Sequence, residues 1–158
     1  MRLPLPDAGD VRDLVNGLLD RGVTVTRESK PVLPGRAVHV VGSYVDDTAT
    51  VRAVAMTDHL LGTVLGAALA LVPPPRVEQA VTDGLVPADL AENTREVLNV
   101  AASLFNTGDD HLKLQATWVV PEPVTDEVVE FLRIPAQRAD LRVEVPGYGE
   151  GLLAILVR

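Results

Sequence analysis

Between residues 10 and 22 the apolar side chains Leu14, Val15, Leu18 and Leu19 recur at helical spacing behind Asp10. This predicts a helix with Asp10 as N-cap and Gly22 as its stop. Met1 to Pro6, with two prolines and no period, reads as an N-terminal arm. Val23 to Thr26 is a short β-branched stretch, and Arg27 to Arg36, with two prolines, Gly35 and no apolar period, reads as a loop. Two β-rich runs follow, Ala37 to Val45 and Thr48 to Met56, parted by Asp46-Asp47. They predict an antiparallel hairpin. Thr57 is then the expected N-cap of a helix from Asp58 to about Leu71. Gly62, Gly66, Ala67, Ala68 and Ala70 keep that helix thin, the pattern of a helix lying close against a sheet or another helix.

Pro73 to Pro75 should break this helix, with a short helical segment from Arg76 to Thr82 ending at Gly84. Pro87 sits where a helix can begin, because its missing N–H would be unpaired in a first turn anyway. The helix it opens is expected to run to about Asn106 and to end at Thr107-Gly108-Asp109-Asp110. A strand is expected from His111 to Val120. In Glu122 to Leu132, Val124, Val128, Val129 and Leu132 fit a helical period, but flanking prolines leave the segment ambiguous. Asp140 to Val145 and Gly151 to Val157 flank Pro146-Gly147-Tyr148-Gly149-Glu150, a glycine-rich hairpin connection. Neighbouring strands joined by hairpins favour an α+β fold, a mostly antiparallel sheet with long helices packed on it, over a doubly wound α/β fold. No linker divides the chain, so 1–158 is expected to be a single domain.

Charge and composition narrow the chemistry. The chain has 14 basic and 22 acidic residues, a net charge of −8, and 3% aromatics. A nucleic-acid binder needs a basic face or an aromatic stacking platform, so no nucleic-acid partner is expected. The apolar run Leu60 to Val72 is interrupted by Gly62, Thr63 and Gly66 and falls short of the roughly 20 residues a membrane span needs. No membrane association is expected, and the start of the chain carries no export signal, so a cytoplasmic location is expected. With no cysteine, thiol chemistry is excluded. His39, His59 and His111 fall on three different elements without a ligand-like spacing, so no metal of its own is expected. No serine sits in a Gly-x-Ser-x-Gly elbow, and Gly147, Gly149 and Gly151 precede a strand, which argues against a phosphate loop.

The long helix remains. Val97, Leu98, Ala101, Leu104 and Phe105 form one apolar stripe, while Glu92, Glu96, Asn99, Ser103 and Asn106 share the opposite face. Glu96 and Asn99, three apart, would present a carboxylate and a carboxamide side by side on a rigid element. On spacing alone this is also what an ordinary solvated helix face looks like.

Glu96-Val97-Leu98-Asn99, on a helix that follows a small-residue helix and a β-hairpin, resembles the chemotaxis phosphatases of the CheX and CheC/FliY group. The hairpin Ala37 to Met56, the run Leu65 to Ala70, the strand Gln115 to Val120 ending in Pro121 and the closing hairpin Asp140 to Val157 follow that family's order. The likeness covers most of the chain, although the motif itself is short. It implies a phosphatase that dephosphorylates the aspartyl-phosphate of a CheY-type response regulator. Asn99 would orient the attacking water and Glu96 would hold a partner lysine. No cofactor of its own is implied, because magnesium would come from the partner's acidic pocket. Glu92 fills the family's acidic or serine position four before the glutamate, and Ser103 stands where the family commonly has glycine. Both are expected to contact the partner. The pair Asp13 and Asn16 resembles a degenerate copy of the motif, whose shorter acid argues against a second site. The alternative is a catalytically silent CheX-like binding or dimerisation module in a two-component signalling pathway. Sheet edges need covering, and relatives often pair, so a homodimer is expected.

Overall fold

Asp7 and Asp10 close the first helical turn reciprocally: the Asp10 N–H donates to Asp7 Oδ1 at 2.8 Å and the Asp7 N–H to Asp10 Oδ2 at 3.0 Å. Helix α1 (Ala8–Leu19) therefore starts from Asp7, and Asp10 serves within the capping box where it was expected as the cap. Asp20, left-handed at φ 50°, ends the helix before Gly22 is reached. The computed structural model describes residues 3–30, 39–106, 108–109, 111–134 and 137–158. The arm is anchored within this range: Leu3 and Pro6 are buried, Leu3 in the main core.

Strand β1 (Thr24–Arg27) takes in Arg27, expected as the first loop residue. The loop is described only to Lys30, and the start of the hairpin expected at Ala37 lies outside the described residues. β2 (His39–Val45) and β3 (Val51–Thr57) form the predicted antiparallel hairpin. Its turn is wider than Asp46-Asp47. Asp46 Oδ1 accepts from the Thr48 and Thr50 N–H groups at 2.9 and 3.1 Å and so holds a five-residue connection.

Helix α2 (His59–Leu69) is capped by Asp58, which accepts from the Leu61 N–H at 2.8 Å. Thr57, the expected cap, is instead the fully buried end of β3. Pro74 and Pro75 open α3 (Pro74–Asp83) and do not merely break α2, since a first turn needs no N–H from them. Gly84, at φ 69°, stops α3 as expected. Helix α4 (Ala88–Val100) follows, and beyond it the chain tightens into a 3-10 helix (Ala101–Phe105) where one continuous helix was expected. Three residues per turn shift the buried face. Ala102 and Phe105 are buried, whereas Ala101 and Leu104, expected inside, are half-buried. Of the expected stop signal, Thr107 and Asp110 lie outside the described residues.

β4 (Lys113–Val120) begins two residues after His111. The ambiguous segment resolves as α5 (Asp126–Arg133), and β5 (Gln137–Val145) and β6 (Gly149–Val157) form the closing hairpin. All pairings are antiparallel in one six-stranded sheet ordered β1-β5-β6-β3-β2-β4, the α+β fold expected. One face carries α1, α2 and α4 over a core that includes Tyr44, Leu61, Leu90, Val97 and Phe105. The other carries α5, whose Val128 and Phe131 meet Val41, Val54, Met56 and Leu156. Among the described residues the edge strands of the sheet are β1 and β4. Among the described residues no helix is long and apolar enough to cross a membrane.

Candidate functional site

The position of α4 is set by Gly66 of α2. With no Cβ there, the helices approach until the Leu90 backbone lies against the glycine and α4 side chains reach the α2 backbone: Thr94 Oγ1 donates to the Gly62 carbonyl at 2.6 Å and Asn93 Nδ2 to the Gly66 carbonyl at 3.2 Å. Gly62 serves the sheet side of α2, where a Cβ would come within 2.8 Å of Val40 Cγ2 and Thr57 Oγ1. Leu90, Thr94, Val97 and Leu98 are buried beneath α4. The small-residue spacing of α2 thus has the structural meaning expected of it, a close helix contact.

The opposite face of α4 is exposed along its length. Glu92, Glu96, Asn99, Ser103 and Asn106 all reach solvent. Glu96 and Asn99 occupy the last α-helical turn, where i,i+3 neighbours stand about 5–6 Å apart at Cβ. Neither side chain, nor that of Glu92, makes a hydrogen bond or ion pair within the described residues.

The asparagines separate this site from ordinary helix surface. The chain has four. Asn16 accepts from the Val23 N–H at 2.7 Å, Asn93 holds Gly66, and Asn106 accepts from the Leu112 N–H at 2.6 Å while donating to the Leu112 carbonyl at 3.3 Å. Among the described residues, Asn99 is the asparagine whose carboxamide makes no hydrogen bond. Asn106 therefore leaves the set that spacing had placed on the polar face, since it pins the turn into β4. The first-helix pair is compromised in the same way: Asn16 is spent on the backbone and Asp13 pairs with Arg12 at 3.2 Å. Ser103 is exposed and lines a shallow pocket with Pro4, Leu5, Pro6, Asp10, Asp13 and Leu14, so its hydroxymethyl meets no obstacle inside its own chain.

Behind Asn99 lies a buried support that spacing could not reveal. Tyr44 of β2, packed on Phe105 with ring centroids 4.9 Å apart, donates its hydroxyl to the Leu98 carbonyl at 2.6 Å. Burial raises the Tyr44 pKa well above its ordinary value, so the phenol stays a proton donor across the neutral range. The bond satisfies a helix-end carbonyl at the place where α-helix gives way to 3-10. Tyr44→Phe is expected to cost about 1–3 kcal/mol, because the buried Leu98 carbonyl is left without a donor. Chemical denaturation should show this as a lowered midpoint.

No family model and no curated protein matches the chain. Solved structures do. A FliM middle domain from H. pylori aligns at TM-score 0.56 with 13% identity, covering 95% of this chain and 84% of that one. A chain of the CheX–CheY–BeF3–Mg2+ complex from Borrelia burgdorferi aligns at TM-score 0.55 with 10% identity, covering 94% and 92%. A chemotactic CheC-like protein from Shewanella oneidensis MR-1 aligns at 0.53 with 10% identity, also covering 94% and 92%. The fold is CheX/CheC-like. In this fold Glu96 and Asn99 stand on a helix braced from below by α2 and Tyr44, with their polar atoms turned to solvent. Among the described residues no third acidic or imidazole ligand joins Glu92 and Glu96, two carboxylates a turn apart. Chemically the face is a rigid donor and acceptor pair available to a docking partner.

Proposed function

We propose that this CheX/CheC-like chain is a phosphatase for the aspartyl-phosphate of a CheY-type response regulator. The observation that carries the reading is the uncommitted Asn99 carboxamide beside the uncommitted Glu96 carboxylate, on an exposed helix whose other asparagine is consumed by packing. Phosphoryl transfer asks mainly for positioning, a water in line with the leaving carboxylate. Inserted into the partner's pocket, the Asn99 amide accepts from and donates to that water, and Glu96 pairs with a partner lysine to hold the complex. Magnesium is held by the partner's own carboxylates and offsets charge on the phosphoryl oxygens. A helix with buried backing suits the task, since little has to reorganise on docking. The CheX–CheY complex among the structural relatives carries BeF3 and Mg2+, a phosphoryl mimic with its metal, which supports a partner of this class.

A second reading, a catalytically silent binding module, has its own support in Ser103, which replaces the glycine common in the family, and in the likeness to a FliM middle domain. Titrating a BeF3-activated receiver domain against Glu96→Ala tests the first reading. Affinity is expected to fall about tenfold or more, the cost of stranding a charged partner. Wild-type affinity in Glu96→Ala would remove Glu96 from the interface. Tight binding by the wild-type chain with no faster loss of phosphate from the partner would favour the silent module.

A further inference from the structure

The face that carries Glu96 and Asn99 belongs to a chain of net charge −8, and Glu92 adds a second carboxylate to it. A phosphorylated pocket is itself anionic, so the two surfaces repel unless something on α4 compensates. Arg95 is placed to do so. It lies four residues before Asn99 and hence one turn away on the same side of the helix, with Glu96 on the far side of Asn99. The asparagine is flanked by a cation on one side and an anion on the other.

Among the described arginines, Arg95 shares with Arg21, Arg27 and Arg158 the lack of a carboxylate partner, and of these four it is the one on α4. Arg12, Arg52, Arg76, Arg133, Arg138 and Arg142 each pair with a carboxylate within 4.0 Å. Arg95 pairs with none of the described carboxylates, although acids outnumber bases by 22 to 14. Its hydrogen bond is from Nη1 to Thr117 Oγ1 on β4, at 3.3 Å. That long bond to a neutral hydroxyl aims the half-buried stem along the β4 side of α4 and uses one of five donors. The remaining fork is free, oriented and complementary to planar or tetrahedral oxyanions.

We infer that Arg95 contacts the phosphoryl oxygens of the docked partner, where it offsets their charge and sets the group against Asn99. The inference rests on the proposed function. It adds to the Glu96 and Asn99 pair a cation that tells a phosphorylated pocket from an empty one. Because phosphoryl-transfer transition states spread charge over the equatorial oxygens, such a cation acts on turnover as well as docking.

The test measures affinity of wild type, Arg95→Met, Arg95→Lys and Thr117→Val for a CheY-type receiver with Mg2+, with and without BeF3, at low and high salt. Arg95→Met is expected to bind the BeF3 form about tenfold more weakly, the scale of a charge-assisted hydrogen bond, with a flatter salt dependence. It should bind the BeF3-free form as wild type does. Arg95→Lys should restore most of the low-salt affinity, and Thr117→Val should fall in between. Thermal midpoints near wild type exclude unfolding as the cause, and the lysine variant keeps the charge readout should the methionine variant prove unstable. An unchanged affinity and salt slope in Arg95→Met overturns the inference, leaving Arg95 as a strut to β4 and the proposed function intact. An equal loss for both receiver forms also overturns it, in favour of contact with the pocket's carboxylates. If the wild-type chain does not distinguish the BeF3 form at all, the proposed function falls and this inference with it.

Discussion

Replacing Asn99 with alanine is expected to slow dephosphorylation of a CheY-type partner about 100-fold or more while leaving the affinity for the BeF3-activated partner near that of wild type. The carboxamide is uncommitted and exposed, so its loss removes no intramolecular bond and leaves the fold unchanged. What disappears is the group that holds water in line, and misplacement of a reactant by about 1 Å is enough to cost about 100-fold. Docking rests on Glu96 and on the shape of α4, which the substitution preserves. Single-turnover decay of the phosphorylated partner at saturating protein separates the two quantities. A variant that turns over normally would remove Asn99 from the chemistry, and one that no longer binds would make it a docking residue.

Gly66→Ala is expected to destabilise the protein by about 2 kcal/mol or more and to lower the thermal midpoint by roughly 5–10 °C. In an exposed helix the same change stabilises by about 1 kcal/mol, because alanine loses less backbone freedom on folding. Here the sign reverses. A Cβ on Gly66 would overlap the Leu90 carbonyl oxygen and come within 2.8 Å of Thr94 Oγ1 and 2.9 Å of the Leu90 carbonyl carbon. Backbone cannot turn aside as a flexible side chain can, so α4 must move away from α2. The Thr94 and Asn93 bonds to the α2 carbonyls lengthen with it. Activity should fall as well, since α4 carries Glu96 and Asn99. Gly17→Ala in α1 is the matched control: nothing lies within 4 Å of the added carbon, and a small gain in stability is expected. A destabilisation in both variants alike would refute the argument from close approach.

Much of this architecture was legible in the chain because local pattern and tertiary demand agree. The two β-rich runs, Ala37 to Val45 and Thr48 to Met56, parted by Asp46-Asp47, mark a hairpin, and the glycine-alanine run of α2 marks a helix that must pack tightly. The caps were displaced where two capping residues stand near each other. Thr57 and Asp58 are both good N-caps, and the choice falls to Asp58 because Thr57 is consumed as the buried end of a strand. The shift into 3-10 helix at Ala101 had no local mark. It accompanies Tyr44 reaching the Leu98 carbonyl from β2 and Asn106 closing on Leu112, contacts 54 and 6 residues distant in sequence. Spacing could place Glu96, Asn99 and Asn106 on one face but could not tell a free amide from one spent on the backbone. Arg95 lies at the border of the polar face, beside the buried stripe, where spacing alone marks no role. Its i,i+4 relation to Asn99 was readable, whereas the lack of a carboxylate partner was not.

The central claim is tested most directly by following the phosphate of a phosphorylated CheY-type response regulator, with Mg2+ present, in the presence and absence of the wild-type chain. The account expects decay that accelerates in proportion to added protein and saturates as the complex forms. Decay at the same rate with and without the chain, under conditions where the complex is shown to form, would contradict it.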